Sequence, residues 1–372
     1  MSRIFFSAGE SSGDMHGANL IRALRESDPN IECIGYGGQR MADAGMELKY
    51  DLASQAIMGF AEVVKHIGFF KALYRNTVTE FEYQPPDCLV VIDYPGFNMQ
   101  IMKRAQLLGI PVVWYISPQV WAWKKGRIFV IARNAKKVLV ILPFEERIYK
   151  HLGVNCTYVG HPLLDQIART EIQGTYKNDM VIVLMPGSRA QEIGRHMQTM
   201  IDVARGIREK YPDARFVIPC VDEEREAQVK ASASGFPIET TIGNTYELLS
   251  AARFCLVASG TATVETTLFK VPMIVMYKTS SLTYMLARML VKVAHIGMVN
   301  LLAGKRIVPE FVQGEATVQR ILPEALDLIA DGPRREQMLA DLQAVRDTLG
   351  GPGASTRAAE HVLAVMKAEA NG

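Results

Sequence analysis

Six residues, Met180–Met185 (M-V-I-V-L-M), constrain this chain more than any other stretch. They form a continuous apolar run rich in β-branched residues, the pattern of a strand buried on both faces of a parallel sheet. Pro186 and Gly187 end the run, and helical spacing resumes from Glu192. Strand, tight turn and helix thus follow one another, and the unit recurs. Strand-like runs at 3–8, 31–35, 87–93, 111–116, 137–142 and 156–159 precede it, and runs at 215–220, 238–241 and 254–258 follow. Segments of helical period separate them. Alternation of this kind builds a parallel sheet covered by helices. At 372 residues the chain is long enough for two such domains. The expected fold class is therefore α/β, with two Rossmann-like domains facing a cleft. The polar segment Gly174–Asn178 marks the expected linker, which places the domains at 1–170 and 171–352. Gly350-Gly351-Pro352-Gly353 breaks the closing helices, and the last helix, expected over Thr356–Ala368, can cross back so that 353–372 packs on the first domain.

Composition removes several function classes. A net charge of +2 without a long run of Lys and Arg argues against nucleic acid as a partner. The five cysteines (Cys33, Cys88, Cys156, Cys220 and Cys255) are scattered, with no C-x-x-C pair. Neither a disulfide framework nor a zinc site is expected, and a reducing cytoplasm fits. The opening residues lack the architecture of a signal peptide. No membrane-spanning helix is expected. Work at a membrane would be done from its surface.

In the first half, Ile4–Ala8 leads into Gly9-Glu10-Ser11-Ser12-Gly13-Asp14 and a helix. Ser11, Ser12 and Asp14 can touch a hydroxyl-rich ligand or cap that helix. The loop is not G-x-G-x-x-G, so no dinucleotide site is expected and a dehydrogenase fits poorly. The run Asp87–Asp93 ends on a carboxylate before Tyr94-Pro95. An acid at the C-terminal end of a central strand points to where such sheets bind ligands, and Asp93 is the candidate general base. Its alternative use is to cap the next helix. After the strand at 111–116 comes Ser117-Pro118-Gln119-Val120-Trp121-Ala122-Trp123, which holds two of the three tryptophans of the chain. This cluster can stack on a sugar or an acyl chain, or wedge domains together. His161 has no acid beside it in sequence and reads as a hinge or structural residue. In Ile57–Tyr74, Phe60, Val63, Val64, Ile67, Phe70 and Tyr74 share one helical stripe, widened by Met58 and Phe69. The stripe faces a core or serves as a patch for lipid.

In the second half, the turn after Met185 carries Ser188 and Arg189 at a helix start. Unpaired N–H groups and a partial positive charge suit an anion there. The Arg189 guanidinium can grip phosphate oxygens through two donors. The turn is a candidate seat for a diphosphate, or else an ordinary strand–helix turn. Ser259-Gly260-Thr261-Ala262-Thr263-Val264-Glu265 offers a second helix start of small residues. Gly260, Thr261 and Ala262 let a ligand approach the backbone, and Glu265 can accept from ribose hydroxyls. Leu282–Val293 carries another apolar stripe with Arg288, Lys292 and His295 opposite. The Asn300 amide can read a base or a ribose.

Several of these segments together closely resemble the lipid-A-disaccharide synthase family over nearly the whole chain. The resemblance rests on Gly9-Glu10-x-Ser12-Gly13-Asp14, Ile92-Asp93-x-Pro95-x-Phe97-Asn98 and the tryptophan segment 117–123, the most specific of them. It continues through Leu142-Pro143-Phe144-Glu145, Gly160-His161-Pro162, Pro186-Gly187-Ser188-Arg189 and Ser259-Gly260-Thr261-Ala262. Where relatives often carry a further acid, this chain has Gly96, which leaves Asp93 as the carboxylate of that motif. The resemblance implies a B-type glycosyltransferase fold and an inverting transfer of 2,3-diacylglucosamine from UDP to 2,3-diacylglucosamine 1-phosphate. The product is a β-1,6-linked disaccharide 1-phosphate, on the route to lipid A. It implies work at the inner-membrane surface on its cytoplasmic face, and it is compatible with a homodimer. Ser12, Asp14, Gln119, Trp121, Met58, Phe60, Val64, Ile67 and Phe70 then become candidate acceptor and lipid contacts. Ser188, Arg189, Gly260, Thr261, Ala262, Glu265 and Asn300 become candidate donor contacts. The chain contains no D-x-D triplet, the carboxylate pair that holds a divalent ion in many glycosyltransferases, so no metal is expected; no other cofactor is expected either. Rival readings are a UDP-N-acetylglucosamine 2-epimerase, which turns over its nucleotide-sugar alone, and a sensor that binds without releasing UDP.

Overall fold

The computed structural model describes residues 2–54, 67–118, 126–176, 179–233, 235–280, 284–285, 288 and 294–370. They form two compact units, Met1–Asp165 with Gly351–Gly372, and Gln166–Gly350.

The first unit runs β1 (Arg3–Ala8), α1 (Ser11–Ser27), β2 (Glu32–Gly37), α2 (Gln39–Asp43), β3 (Glu47–Asp51), α3 (Ile67–Tyr83), β4 (Cys88–Ile92), α4 (Pro95–Leu107), β5 (Val112–Tyr115), α5 (Gly126–Asn134), β6 (Lys137–Val140), α6 (Pro143–His151), β7 (Cys156–Tyr158) and the start of α7 (Pro162–Arg169). Its sheet is parallel, in the order β3-β2-β1-β4-β5-β6-β7. Alternate side chains feed two cores. Phe5, Leu89, Val91, Val112 and Trp114 lie on one face, and Ile4, Phe6, Val90, Val113 and Tyr115 on the other. Every residue of β4 is buried, which explains its unbroken apolar sequence. The outermost β3 keeps Glu47 and Lys49 at the surface, as an edge strand does to avoid pairing with other chains.

The second unit runs β8 (Val181–Met185), α8 (Ala190–Lys210), β9 (Arg215–Cys220), α9 (Glu223–Ser232), β10 (Glu239–Ile242), α10 (Thr245–Ala251), β11 (Ala252–Ala258), α11 (Ala262–Leu268), β12 (Met273–Tyr277), α12 (Met298–Ala303), β13 (Glu310–Val312), α13 (Val318–Ile329) and α14 (Pro333–Thr348). Its sheet is also parallel, in the order β10-β9-β8-β11-β12-β13.

The final helix α15 (Ala354–Ala370) belongs to the first unit. Ala358, Ala359, Val362 and Met366 join the core face that α1 covers. The Asp165 carboxylate accepts from the N–H groups of Ala354 (3.1 Å) and Ser355 (2.9 Å), which closes the helix start. Arg357 Nε donates to the Val159 carbonyl at 2.8 Å. Gly160 sits at φ +94°, and a Cβ there would meet the Arg357 guanidinium at 2.4 Å. Gly160-His161-Pro162 therefore serves this junction. His161 is buried, and its Nδ1 accepts the Leu163 N–H at 3.3 Å.

The linker differs from expectation. The polar segment before β8 already belongs to the second unit, because the Glu247 carboxylate accepts from Gln173 N (2.7 Å) and Thr175 N (2.6 Å). The division between units falls within α7 instead. Low hydrophobicity marked a surface loop there, and not a boundary.

Candidate functional site

Each sheet reverses its winding direction once, between β1 and β4 in the first and between β8 and β11 in the second. Ligands of doubly wound sheets bind beyond the C-terminal strand ends at such points. Ala8 pairs with Ile92, so the residues past that edge are Gly9-Glu10 and Asp93-Tyr94. Val257 pairs with Met185, and the residues past that edge are Pro186–Arg189 and Ser259–Thr261.

The Asp93 turn is strained. Asp93 and Tyr94 have φ of 44° and 45°, and the β-branched Ile116 at the neighbouring strand end has φ of 59°. Non-glycine residues rarely adopt this region, and such strain collects at functional sites. Three contacts hold the turn. The Asp93 N–H donates to the Ile116 carbonyl at 3.2 Å. The Tyr94 ring lies flat against Gly9, where a Cβ would approach it to 2.4 Å. Asn98 is buried and donates through Nδ2 to the carbonyls of Asp93 (2.8 Å), Ile92 and Ser7, while its Oδ1 accepts from Ser7 Oγ at 2.6 Å. Burial, and next the charge of Glu10, push the Asp93 carboxyl up to about 7; the Tyr94 N–H that it accepts acts the other way. Asp93 does not cap α4, whose N-cap is Tyr94. A carboxyl group near neutrality at such a strand end can serve chemically as a general base.

Around this turn the expected contacts divide. Ser12 is exposed in the first turn of α1. Asp14 is a correction: it is buried, and its carboxylate accepts from the N–H groups of Gly38 (2.8 Å), Arg40 (3.2 Å) and Met41 (3.0 Å). It therefore fastens α2 to α1, and its oxygens are committed to the fold. Phe70 packs beside Tyr94 and Phe97, with centroids 6.4 and 6.2 Å away, so it supports the Asp93 turn. Ile67, at the start of the same helix, is 54% exposed. Met58, Phe60, Val64, Gln119 and Trp121 lie outside the described residues, as does most of the stripe at 282–293. Glu10 and Asn98 were not expected as site residues, although both stand inside the motifs read above. Only the fold brings them to Asp93.

In the second unit, Gly187 has φ of +110°, and a Cβ on it would meet Glu192 Oε2 at 2.5 Å. Glu192 reaches back to accept the Arg189 N–H at 3.3 Å, and its other oxygen lies 3.6 Å from the Arg189 guanidinium. The turn is thus folded onto the first turn of α8. The Arg189 side chain remains 61% exposed, and Ser188 is exposed beside it. His196, one turn further along α8, is fully buried; its Nδ1 lies 2.6 Å from the Pro186 carbonyl, and its Nε2 accepts the Lys278 N–H at 2.9 Å.

At the other strand end, Thr261 is exposed at the N-cap of α11, Gly260 precedes it and Ala262 is half-buried. Glu265 accepts from the Tyr246 hydroxyl at 3.3 Å, and burial raises its pKa. Asn300 is the second correction. Its Nδ2 donates to the Val308 carbonyl (2.9 Å) and Glu310 (2.8 Å), and its Oδ1 accepts from Ile307 N (2.7 Å) and Val308 N (3.0 Å). These four bonds use the full capacity of the amide, and none remains for a base or ribose. Among the described residues, no group of three or more His, Cys, Asp or Glu could hold a metal ion.

The sequence profile of the family described as Lipid-A-disaccharide synthetase matches residues 4–364. The chain is 39% identical to the Lipid-A-disaccharide synthase of Syntrophus aciditrophicus (strain SB) over 370 residues, 97% of each chain. It is 38% identical to that of Geobacter sulfurreducens over 373 residues, 98% of this chain and 97% of the other. Among solved structures it is similar to an S. aureus MnaA–UDP co-structure (TM-score 0.68, 15% identity, 97% and 96% covered). It is also similar to the glycotransferase of kitacinnamycin (TM-score 0.68, 15% identity, 98% of each chain covered). At these identities the two structures speak for the fold alone, a pair of Rossmann-like domains.

Proposed function

We propose how these residues act from one premise: the chain belongs to the lipid-A-disaccharide synthase family. It is a glycosyltransferase of lipid A biosynthesis that joins UDP-2,3-diacylglucosamine to 2,3-diacylglucosamine 1-phosphate and releases UDP. The donor is α-linked and the product β-linked, so one in-line displacement with inversion accounts for the stereochemistry. The acceptor 6-hydroxyl attacks the anomeric carbon, and Asp93 takes its proton. The UDP oxygen leaves with the electron pair of the broken bond. Arg189 and the N–H groups at the start of α8 stabilise the charge that UDP gains. Ser188, Gly260, Thr261, Ala262 and Glu265 complete the donor seat, with Glu265 toward the ribose. Ser12 faces the acceptor, and the first unit takes the acceptor while the second takes the donor.

The observation that carries the base assignment is the Asp93 carboxyl, strained into place at a switch point and raised to about 7. Both substrates carry acyl chains, which supports an approach from a membrane surface, and the cytoplasmic face of the inner membrane is the face proposed. Among the described residues no helix is long and apolar enough to cross a membrane. The test is UDP release from UDP-2,3-diacylglucosamine with and without the acylated monosaccharide 1-phosphate, in buffer and in EDTA. Release that requires acceptor and is indifferent to EDTA is expected. Release or epimerisation of donor without acceptor would overturn the reading.

A further inference from the structure

We infer that His196 is a positioning residue for the donor diphosphate, acting as a strut between the turn that follows β8 and the end of β12. The inference rests on the proposal that Pro186–Arg189 seats the diphosphate. The two strands do not adjoin, because β11 lies between them. His196 spans that gap with one ring. The Lys278 backbone N–H is a donor, so the Nε2 facing it at 2.9 Å is bare. The proton of the neutral ring is therefore on Nδ1, which donates to the Pro186 carbonyl at 2.6 Å. The Tyr277 ring packs beside the imidazole, 5.7 Å away between centroids. Lys278 is held a second time by its Nζ, which donates to Thr199 Oγ1 at 2.7 Å on the same helix.

The consequence is mechanical. Pro186 immediately precedes Gly187, whose φ of +110° sets the direction of Ser188 and Arg189. Glu192 and His196 both brace that turn from α8, and His196 alone also ties it to the end of β12. Without the imidazole, the buried Pro186 carbonyl loses its donor and the half-buried Lys278 N–H loses its acceptor, and the turn is free to relax away from the ligand. A ring that filled space alone would be replaced by phenylalanine without loss to the ligand. A strut would not.

The test compares His196→Phe, which keeps a ring and loses both bonds, with His196→Gln, whose amide carries one donor and one acceptor. UDP affinity of the full chain is measured by calorimetry, and KM for donor and acceptor separately. We expect His196→Phe to weaken UDP binding and raise donor KM about tenfold, the worth of one or two buried hydrogen bonds. Acceptor KM stays unchanged, and His196→Gln recovers most of the loss. A folded His196→Phe with wild-type UDP affinity overturns the inference, as does a Gln variant no better than Phe. If the Phe variant does not fold, imidazole 15N shifts of wild-type His196 decide: they move on saturation with UDP, or the inference fails. Arg189→Ala separates the two layers. If it weakens UDP binding while His196→Phe does not, only the strut is wrong. If neither variant changes UDP affinity, the diphosphate seat itself is misplaced.

Discussion

Asp93 titrates near neutrality because its carboxyl is withdrawn from water and shares its surroundings with Glu10. A base acts only when ionised, so kcat/KM should rise with pH through a midpoint of about 7 and fall tenfold per unit below it. Glu10→Gln removes one of the two causes, and the midpoint should then move to lower pH. A profile flat from pH 5 to 8, or one that Glu10→Gln leaves unmoved, would contradict the assignment. Asp93→Asn is a clean probe of this residue, because asparagine tolerates left-handed backbone better than other side chains with a Cβ. The backbone at φ 44° therefore survives while the charge is lost. Asp14 and Asn300 teach the opposite lesson. Both are polar residues in promising motifs, yet their partners at Gly38–Met41 and Val308–Glu310 consume them. Those partners lie too far along the chain for local sequence to reveal.

Among the elements, the strand–turn–helix unit around Gly187 concentrates the argument. Gly187→Ala would force a Cβ against Glu192 at a φ that only glycine accepts readily, and should cost about 1–3 kcal/mol and weaken UDP binding. Gly194→Ala, inside α8 with open space around it, should instead stabilise by about 0.4–1 kcal/mol and leave binding alone. Thermal melts of the two variants check the contrast; equal effects would mean that the Gly187 turn is not held as described. β4, β8 and β11 were legible because strands with buried faces must read as apolar runs. The edge strand β3 was not legible, since Glu47 and Lys49 give it the look of a loop. The three-residue β13 is too short to carry a period. Met273–Tyr277, absent from the strands expected above, shows the same apolar signal and forms β12. Gly9 stood in a recognisable motif, but its reason, the Tyr94 ring lying against it, depends on the pairing of β1 with β4.

The whole molecule divides into two units, with the C-terminal helix returned to the first. The glycine-rich break before that helix is a sequence feature, whereas the clasp that holds the helix, Asp165 at the start of α15, is a tertiary fact. Burial keeps His16 and His161 near this clasp neutral and pushes their pKa values down to about 4 and about 3. Unfolded histidine titrates near 6.5, so below that pH the unfolded chain binds protons that the native one refuses. Their contribution to stability is complete above pH 6.5 and is lost as pH falls toward 4. The raised pKa of Asp93 works in the reverse sense, so Asp93→Asn should steepen the loss. Tm should therefore be lower at pH 5 than at pH 7.5, and more so in Asp93→Asn; a Tm equal at both values would contradict the buried neutral histidines.

The most direct test of the account is the transfer rate of Asp93→Asn under saturating donor and acceptor, measured alongside its affinity for UDP. The account requires the rate to fall roughly 10²–10⁴-fold, the worth of a positioned base, with UDP affinity unchanged. A variant that transfers at the wild-type rate, or one that loses UDP binding in step with activity, would remove Asp93 from the chemistry.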